Sequence, residues 1–187
     1  MDILEVIKNR RSIRRYKQEP IPEDEMNEIL EAARWAPSWT NTQCWRLVVV
    51  RHPALKAKLA ETLISMTPGR ENRATQAVRN APVVIVACAE LGQSGYFRGS
   101  PATDKGDWFM FDVALAMQNL TLAAHAIGLG TVHVGLFDAK KVAEILGVPD
   151  GISVVELMPM GYPDEKPEKR PRKELNEFIY YERYGER

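Results

Sequence analysis

Apolar positions recur at helical spacing from the first residues. Ile3, Val6 and Ile7 lie three and four apart behind Asp2 and Glu5, a pair spaced as in a capping box. A short helix is expected there, ending at a basic run. Pro20-Ile21-Pro22 reads as a rigid connector. A second helix then begins at Pro22 or Glu23, acidic in its first turn, buries Met26, Ile29, Leu30 and Ala33, and ends at Ala36 before Pro37. The β-branched run Arg46–Val50 predicts a strand. Leu55, Leu59 and Leu63 predict a third helix left at Pro68-Gly69, and a short polar helix follows over Asn72–Asn80. Pro82–Ala89 is uniformly apolar, as in a strand covered on both faces, with Cys88 a small buried hydrophobe. Gly92–Gly106, rich in Gly, Ser and Pro, predicts a mobile loop placed to act as a lid.

The second half opens on a long central helix, Asp107–Ile127, apolar around most of its circumference and expected to be buried on several sides. A strand is expected over Thr131–Phe137. A short helix capped by Asp138 and closed by Gly147 follows, with Val142, Ile145 and Leu146 inward, and then a last core strand, Ile152–Met160. Gly161–Arg187 is a Pro- and charge-rich arm with a helical, aromatic end, Phe178 to Tyr184. Such a segment is suited to docking on its own domain or on a partner subunit. Helices and strands mix without a regular βαβ repeat. The class is therefore α+β: one domain over 1–187, with a central mixed or antiparallel sheet surrounded by helices.

Composition narrows the function. Twenty-five basic residues balance 25 acidic ones, so bulk electrostatics do not favour nucleic-acid binding. Cys44 and Cys88 form neither a disulfide framework nor a metal motif, and no metal is expected. No signal-peptide pattern opens the chain, and a cytoplasmic protein is expected. Val113–Phe137 lacks Asp, Glu, Lys and Arg over a length that could span a bilayer. Gln118, Asn119, His125 and His133 interrupt it and Gly128-Leu129-Gly130 breaks it, so a buried helix followed by a strand is the reading.

Two stretches carry candidate chemistry. Lys8-Asn9-Arg10-Arg11-Ser12-Ile13-Arg14-Arg15-Tyr16-Lys17 holds guanidinium groups beside a hydroxyl, which suits a phosphate, and equally describes a solvated loop. Pro37-Ser38-Trp39-Thr40-Asn41-Thr42-Gln43-Cys44-Trp45 is amide-rich and leads into a core strand, a common place for ligand contacts and for ordinary turns alike. No Gly-x-Gly-x-x-Gly follows a strand, and neither a phosphate loop nor Gly-x-Ser-x-Gly occurs. His52, His125 and His133 are scattered, without carboxylates or thiols at ligand spacing. With no nucleophile–base pair evident, an enzyme built on this chain would rely on a cofactor.

Taken together, these stretches resemble the FMN-dependent nitroreductases, homodimeric α+β flavoproteins. The resemblance runs through Arg10 to Arg14, Pro37 to Trp45, Gly128 to Phe137, and Gly161-Tyr162-Pro163 with Arg170-Pro171-Arg172. It implies tightly but non-covalently bound FMN, with NAD(P)H as donor. Arg10, Arg11, Ser12, Arg170 and Arg172 would surround the FMN phosphate. Arg14 would lie at the N1–C2=O edge of the ring, where a cation favours reduction. Pro37, Ser38 and Trp39 would reach the flavin from the second subunit, with Asn41 close by and the 164–187 arm packed on the partner. Asn72 would bond the ring's polar edge or cap its own helix, and Gly135 and Leu136 would present backbone to the N5 side. No protein acid or base is implied. The activity would be ping-pong hydride transfer from NAD(P)H to a nitroaromatic, quinone or enone-like acceptor.

Three positions depart from the family pattern: Cys44 replaces a proline, Leu136 a glycine, and Trp39 a smaller residue. They bear on the substrate more than on the cofactor. Two alternatives stand beside the enzyme: a flavin sensor or store in which Cys44 takes part, and a nucleic-acid module built on the basic run.

Overall fold

The computed structural model describes residues 2–186. Helices α1 (Ile3–Asn9) and α2 (Glu23–Arg34) lead to strand β1 (Trp45–Val50), helices α3 (Pro53–Ala60) and α4 (Thr75–Asn80), and strand β2 (Val83–Glu90). A small hairpin, β3 (Tyr96–Phe97) and β4 (Ser100–Pro101), precedes the long helix α5 (Phe109–Ala126). Strand β5 (Gly130–Thr131), helix α6 (Ala139–Leu146) and strand β6 (Ile152–Gly161) complete the core. The main sheet runs β1-β2-β6-β5, antiparallel at every pairing, and is the α+β architecture expected from the sequence.

Strand alternation explains the layers. Val83, Ile85, Ala87 and Ala89 of β2 join Met26, Ile29 and Ala33 of α2 and Val113, Ala116, Met117, Leu120 and Ala124 of α5 in one core. Val84, Val86 and Cys88 face the other way, onto Leu59, Ala77, Val78 and Val142 of α3, α4 and α6. A strand covered on both faces has no polar side to show, which accounts for its apolar run.

Several sequence expectations need correction. Asp2 precedes α1 but its carboxylate caps nothing. Helix α2 ends at Arg34 rather than Ala36. Helix α3 ends at Ala60, because Leu63 leaves the helical path to bridge Phe137 and the Ile64 N–H donates to the Leu136 carbonyl at 3.1 Å. The predicted strand 131–137 is laddered only at Gly130–Thr131. Beyond it Val134 makes a single bridge to Leu157, and His133, Gly135 and Leu136 turn outward. The aromatic end of the arm is not helical: a 3₁₀ turn at Leu175–Glu177 is followed by turns, and Leu175, Phe178, Tyr181 and Tyr184 are exposed. A helix this short needs a surface to pack on.

Helix α5 is buried along Asp112, Val113, Ala116, Met117 and Leu120, yet Met110, Phe111, Ala114 and Gln118 lie open on one side. The 92–106 loop is tied down rather than free. Asp107 accepts from the Gly92 N–H at 2.7 Å, and the Trp108 and Ala102 N–H groups donate to the Ser94 and Gly95 carbonyls. Among the described residues no helix is long and apolar enough to cross a membrane. Nor, among them, does any group of three or more His, Cys, Asp or Glu assemble that could hold a metal ion.

Candidate functional site

The basic run is an extended segment laid along the sheet edge, held by single bridges at Ser12 and Tyr16. After α1 the chain turns extended at Arg10, and the Ile13 N–H donates to the Thr131 carbonyl at 2.9 Å beside a parallel bridge from Ser12 to Thr131. Gly130 makes this approach possible, since a Cβ there would lie 2.6 Å from Ile13 Cγ1. Ile13 and Tyr16 turn inward, and the Tyr16 hydroxyl is shared between the Ile13 and Pro159 carbonyls at 2.5 and 3.0 Å. Burial pushes that phenol well above its ordinary pKa.

The arm returns along the same edge. The Lys17 N–H donates to the Tyr162 carbonyl and the Asp164 N–H to the Arg15 carbonyl, both at 2.9 Å. Glu165 then accepts the Arg14 and Arg15 N–H groups at 2.5 and 3.2 Å and pairs with the Arg15 side chain at 3.4 Å. That carboxylate is why residues more than 150 positions apart form one wall.

Between this segment and the arm opens a cavity of about 810 Å³. Arg10, Arg11, Ser12, Arg14, Arg170 and Arg172 line it, joined by Lys8, which opens the basic run, and by Arg73 and Lys169, which sequence reasoning missed. Only Glu165 and Glu168 oppose these eight cations, and among the described residues none of the eight forms an ion pair. By contrast Arg15, Arg34, Arg46 and Arg51 are each matched to a carboxylate. Burial, then Arg172 and Arg11, press the Arg10 guanidinium below its ordinary pKa. Burial, then Arg10 and Arg11, do the same to the His125 imidazole on α5. Arg11 is partly committed already, one of its nitrogens donating to the Lys8 and Arg10 carbonyls at 2.9 Å. Unmatched cations around a hydroxyl suit a phosphate dianion.

The amide-rich segment stands elsewhere. Trp39–Asn41 is a 3₁₀ turn, and Thr40, Asn41 and Gln43 all have positive φ, at 43°, 61° and 48°. Such backbone costs about 1–3 kcal/mol per residue and persists only where its surroundings hold it. Here the holder is Asp112 in the first turn of α5, 1% exposed. Its carboxylate accepts the Trp39 N–H at 3.1 and 3.2 Å, the Thr42 hydroxyl at 3.3 Å and the Cys44 thiol at 3.7 Å. Ser38 adds a bond from the Gln43 N–H at 3.0 Å. Burial first, then Asp112, raise the Cys44 thiol to about 11, so it is neutral and inert at ordinary pH. Trp39 tilts against Trp108 at 5.3 Å, with its indole N–H buried and without an acceptor among the described residues.

The remaining predicted residues lie outside the basic cavity. Asn72 donates to the Ile64 and Leu136 carbonyls at 2.8 and 3.4 Å and accepts the Ala74 N–H at 2.9 Å; it ties the turn before α4 and does not cap the helix, whose N-cap is Ala74. Gly135 and Leu136 are exposed beside it. His133 lies between Glu156 and Thr121 at 2.8 and 3.2 Å, satisfied locally as expected.

Helix α5 measures the separation of the two halves. Arg10 and Arg11 act on His125 near its C-terminal end, and the 37–44 loop is fastened to Asp112 at its start. Thirteen residues of helix put about 20 Å between them. Pro37, Ser38, Trp39 and Asn41 accordingly do not line the cavity of their own chain.

Comparison with known proteins agrees with this fold. The family described as the nitroreductase family matches residues 7–162. The NADH dehydrogenase of Thermus thermophilus is 35% identical over 182 residues, 84% of each chain. The crystal structure of a nitroreductase family protein from Clostridium novyi NT superposes with a TM-score of 0.76 at 33% identity, over 100% of this chain and 96% of that one. An FMN-dependent nitroreductase from Clostridium difficile R20291 gives a TM-score of 0.78 at 25% identity, over 97% and 99%. With sequence, fold and the basic edge in agreement over nearly the whole length, the chain belongs to the nitroreductase family.

Proposed function

We propose that this chain is an FMN-dependent NAD(P)H oxidoreductase acting in the cytoplasm as a homodimer, each site joining the basic cavity of one subunit to the 37–41 loop of the other. The observation that carries the reading is the set of eight unpaired cations around Ser12 in one cavity. FMN, when bound, would supply the redox chemistry for ping-pong hydride transfer from NAD(P)H to a small acceptor such as a nitroaromatic, quinone or enone. Arg10, Ser12, Arg170 and Arg172 hold the phosphate, with Arg11 backing them. Arg14, its backbone fixed by Glu165, offers positive charge at the ring's edge.

The dimer reading has separate support. The two halves of the predicted site lie about 20 Å apart along α5 within one chain. Ile3, Leu4, Ile7, Trp35, Met110 and Phe111 are exposed apolar side chains that a second subunit would cover. The bare aromatic end of the arm would gain a surface on a second subunit. The sensor reading loses its main support, because Cys44 is buried and its thiol is tied to Asp112.

The test is a visible absorption spectrum of the purified protein, before and after NADH or NADPH is added without air. Oxidised-flavin bands that bleach with either nucleotide are expected. Bands that persist would mean binding without turnover, and a colourless protein that takes up no FMN would remove the reading altogether.

A further inference from the structure

We propose that Asp112 is a positioning residue for the reaction: from the first turn of α5 it sets the conformation in which Trp39 and Asn41 are presented to the flavin of the second subunit. The inference rests on the two-subunit site proposed above and goes beyond it by assigning a role to a residue that touches neither flavin nor substrate.

The buried carboxylate of Asp112 is an arrangement the core does not need. Asp112 is 1% exposed on a helix whose neighbouring inward positions are Val113, Ala116 and Met117. Among the described residues no cation pairs with it. An isolated buried carboxylate is costly, and an apolar side chain would fill the place without that cost. What Asp112 has instead is a set of donors from a single loop: the Trp39 N–H, the Thr42 hydroxyl and the Cys44 thiol. The loop is the part of the chain that most needs holding, with three non-glycine residues in the left-handed region within four positions. The donors alternate with the strained residues, Trp39 and Thr42 bracketing Thr40 and Asn41, and Thr42 and Cys44 bracketing Gln43. One carboxylate therefore selects one loop shape and forfeits its own hydrogen bonds in any other. The positive end of the α5 dipole supports the negative charge there.

The test uses the FMN-loaded dimer and three variants, Trp39→Phe, Asp112→Asn and Thr42→Val, read by flavin content, flavin fluorescence and the KM and kcat for 4-nitrobenzoate. Trp39→Phe should brighten the flavin by removing a quenching indole. If it does not, the loop does not reach the flavin and the two-subunit reading fails. Given that brightening, Asp112→Asn should keep its FMN, because the cavity is at the other end of α5, and should brighten the flavin as well. It should also raise KM on the order of tenfold with little change in kcat. Thr42→Val should move both readouts the same way by a smaller amount. A purely structural role would lower flavin content and kcat together with the folded fraction and leave KM alone. Asp112→Asn with unchanged fluorescence and KM would overturn the proposal. Should that variant fail to fold, Thr42→Val decides: a shift in both readouts sustains the proposal and silence overturns it.

Discussion

The two ends of α5 solve opposite problems. At its C-terminal end the chain gathers like charges and, among the described residues, leaves them without ion pairs, an arrangement suited to an anion. At its N-terminal end a single buried charge is matched entirely from within by the loop it holds. One end is electrostatic, open and tolerant of small shifts. The other is strained, closed and specific in shape. Unmatched charge is suited to capturing a cofactor's phosphate, and a rigid loop to defining what approaches the cofactor's reactive face. About 20 Å of helix separates them, and in the proposed dimer one chain would carry half of each of two sites.

Substitutions at the basic end should have the largest effect and spare the loop. Arg10→Ala or Arg172→Ala should each weaken FMN binding about ten- to a hundredfold, the worth of a charged hydrogen bond to phosphate. Fluorescence titration would measure this, and full retention in both variants would remove them from the phosphate site. Deleting the residues after Pro163 should come next. It takes away Glu165, Arg170 and Arg172 together with the exposed aromatic tip, and light scattering should find monomer or aggregate. A stable, flavin-loaded dimer would refute the exchanged arm.

Two smaller effects sharpen the contrast. Glu165→Ala removes two backbone bonds and a partly exposed ion pair, and should cost about 1–3 kcal/mol in chemical denaturation. Asp138→Ala, a surface cap on α6 remote from both ends, should cost about 1 kcal/mol and leave flavin content unchanged. The smallest signal is the His125 titration. Its imidazole is held neutral in the fold, so the folded chain binds fewer protons than the unfolded one. Its contribution to stability is present above the ordinary value of 6.5 and is lost as pH falls through the lowered folded value. Phosphate bound beside Arg10 and Arg11 should raise that value, which NMR of the His125 ring would show with and without FMN.

The electrostatic end was the more legible in the sequence. Clustered arginines announce themselves whatever the fold, whereas the second pair, Arg170 and Arg172 on either side of Pro171, was reached only through the family resemblance. Arg73 did not stand out, because an isolated cation in a polar stretch looks like solvated surface until the turn before α4 brings it to the cavity. Glu165 was hidden among the arm's many charges, although it joins the arm to the basic segment. Asp112 was the quietest of all: one acid opening an apolar helix reads as a favourable dipole contact, and only the fold shows that it faces inward. It did leave a faint signal, a carboxylate in register with Val113, Ala116 and Met117. The core strands were readable because burial on both faces leaves uniform apolar runs. The 131–137 segment was overread, since alternation at Val132 and Val134 is also produced by a chain that touches the sheet at single bridges. The arm's aromatic tip was given a helix that its own chain supplies no surface to stabilise.

The most direct test of the shared site is subunit complementation. One chain would carry Arg10→Ala with Arg172→Ala, leaving its loop intact, and the other Trp39→Ala with Asp112→Asn, leaving its cavity intact. Assayed well below KM, the first homodimer should be nearly inactive for want of FMN and the second reduced on the order of tenfold. Random mixing makes half the dimers hybrid, each with one intact site of two, so the account predicts recovery of about a quarter of wild-type activity. If hybrids isolated by two different affinity tags are as inactive as the parents, the cavity and the loop do not meet across subunits and the central claim is wrong.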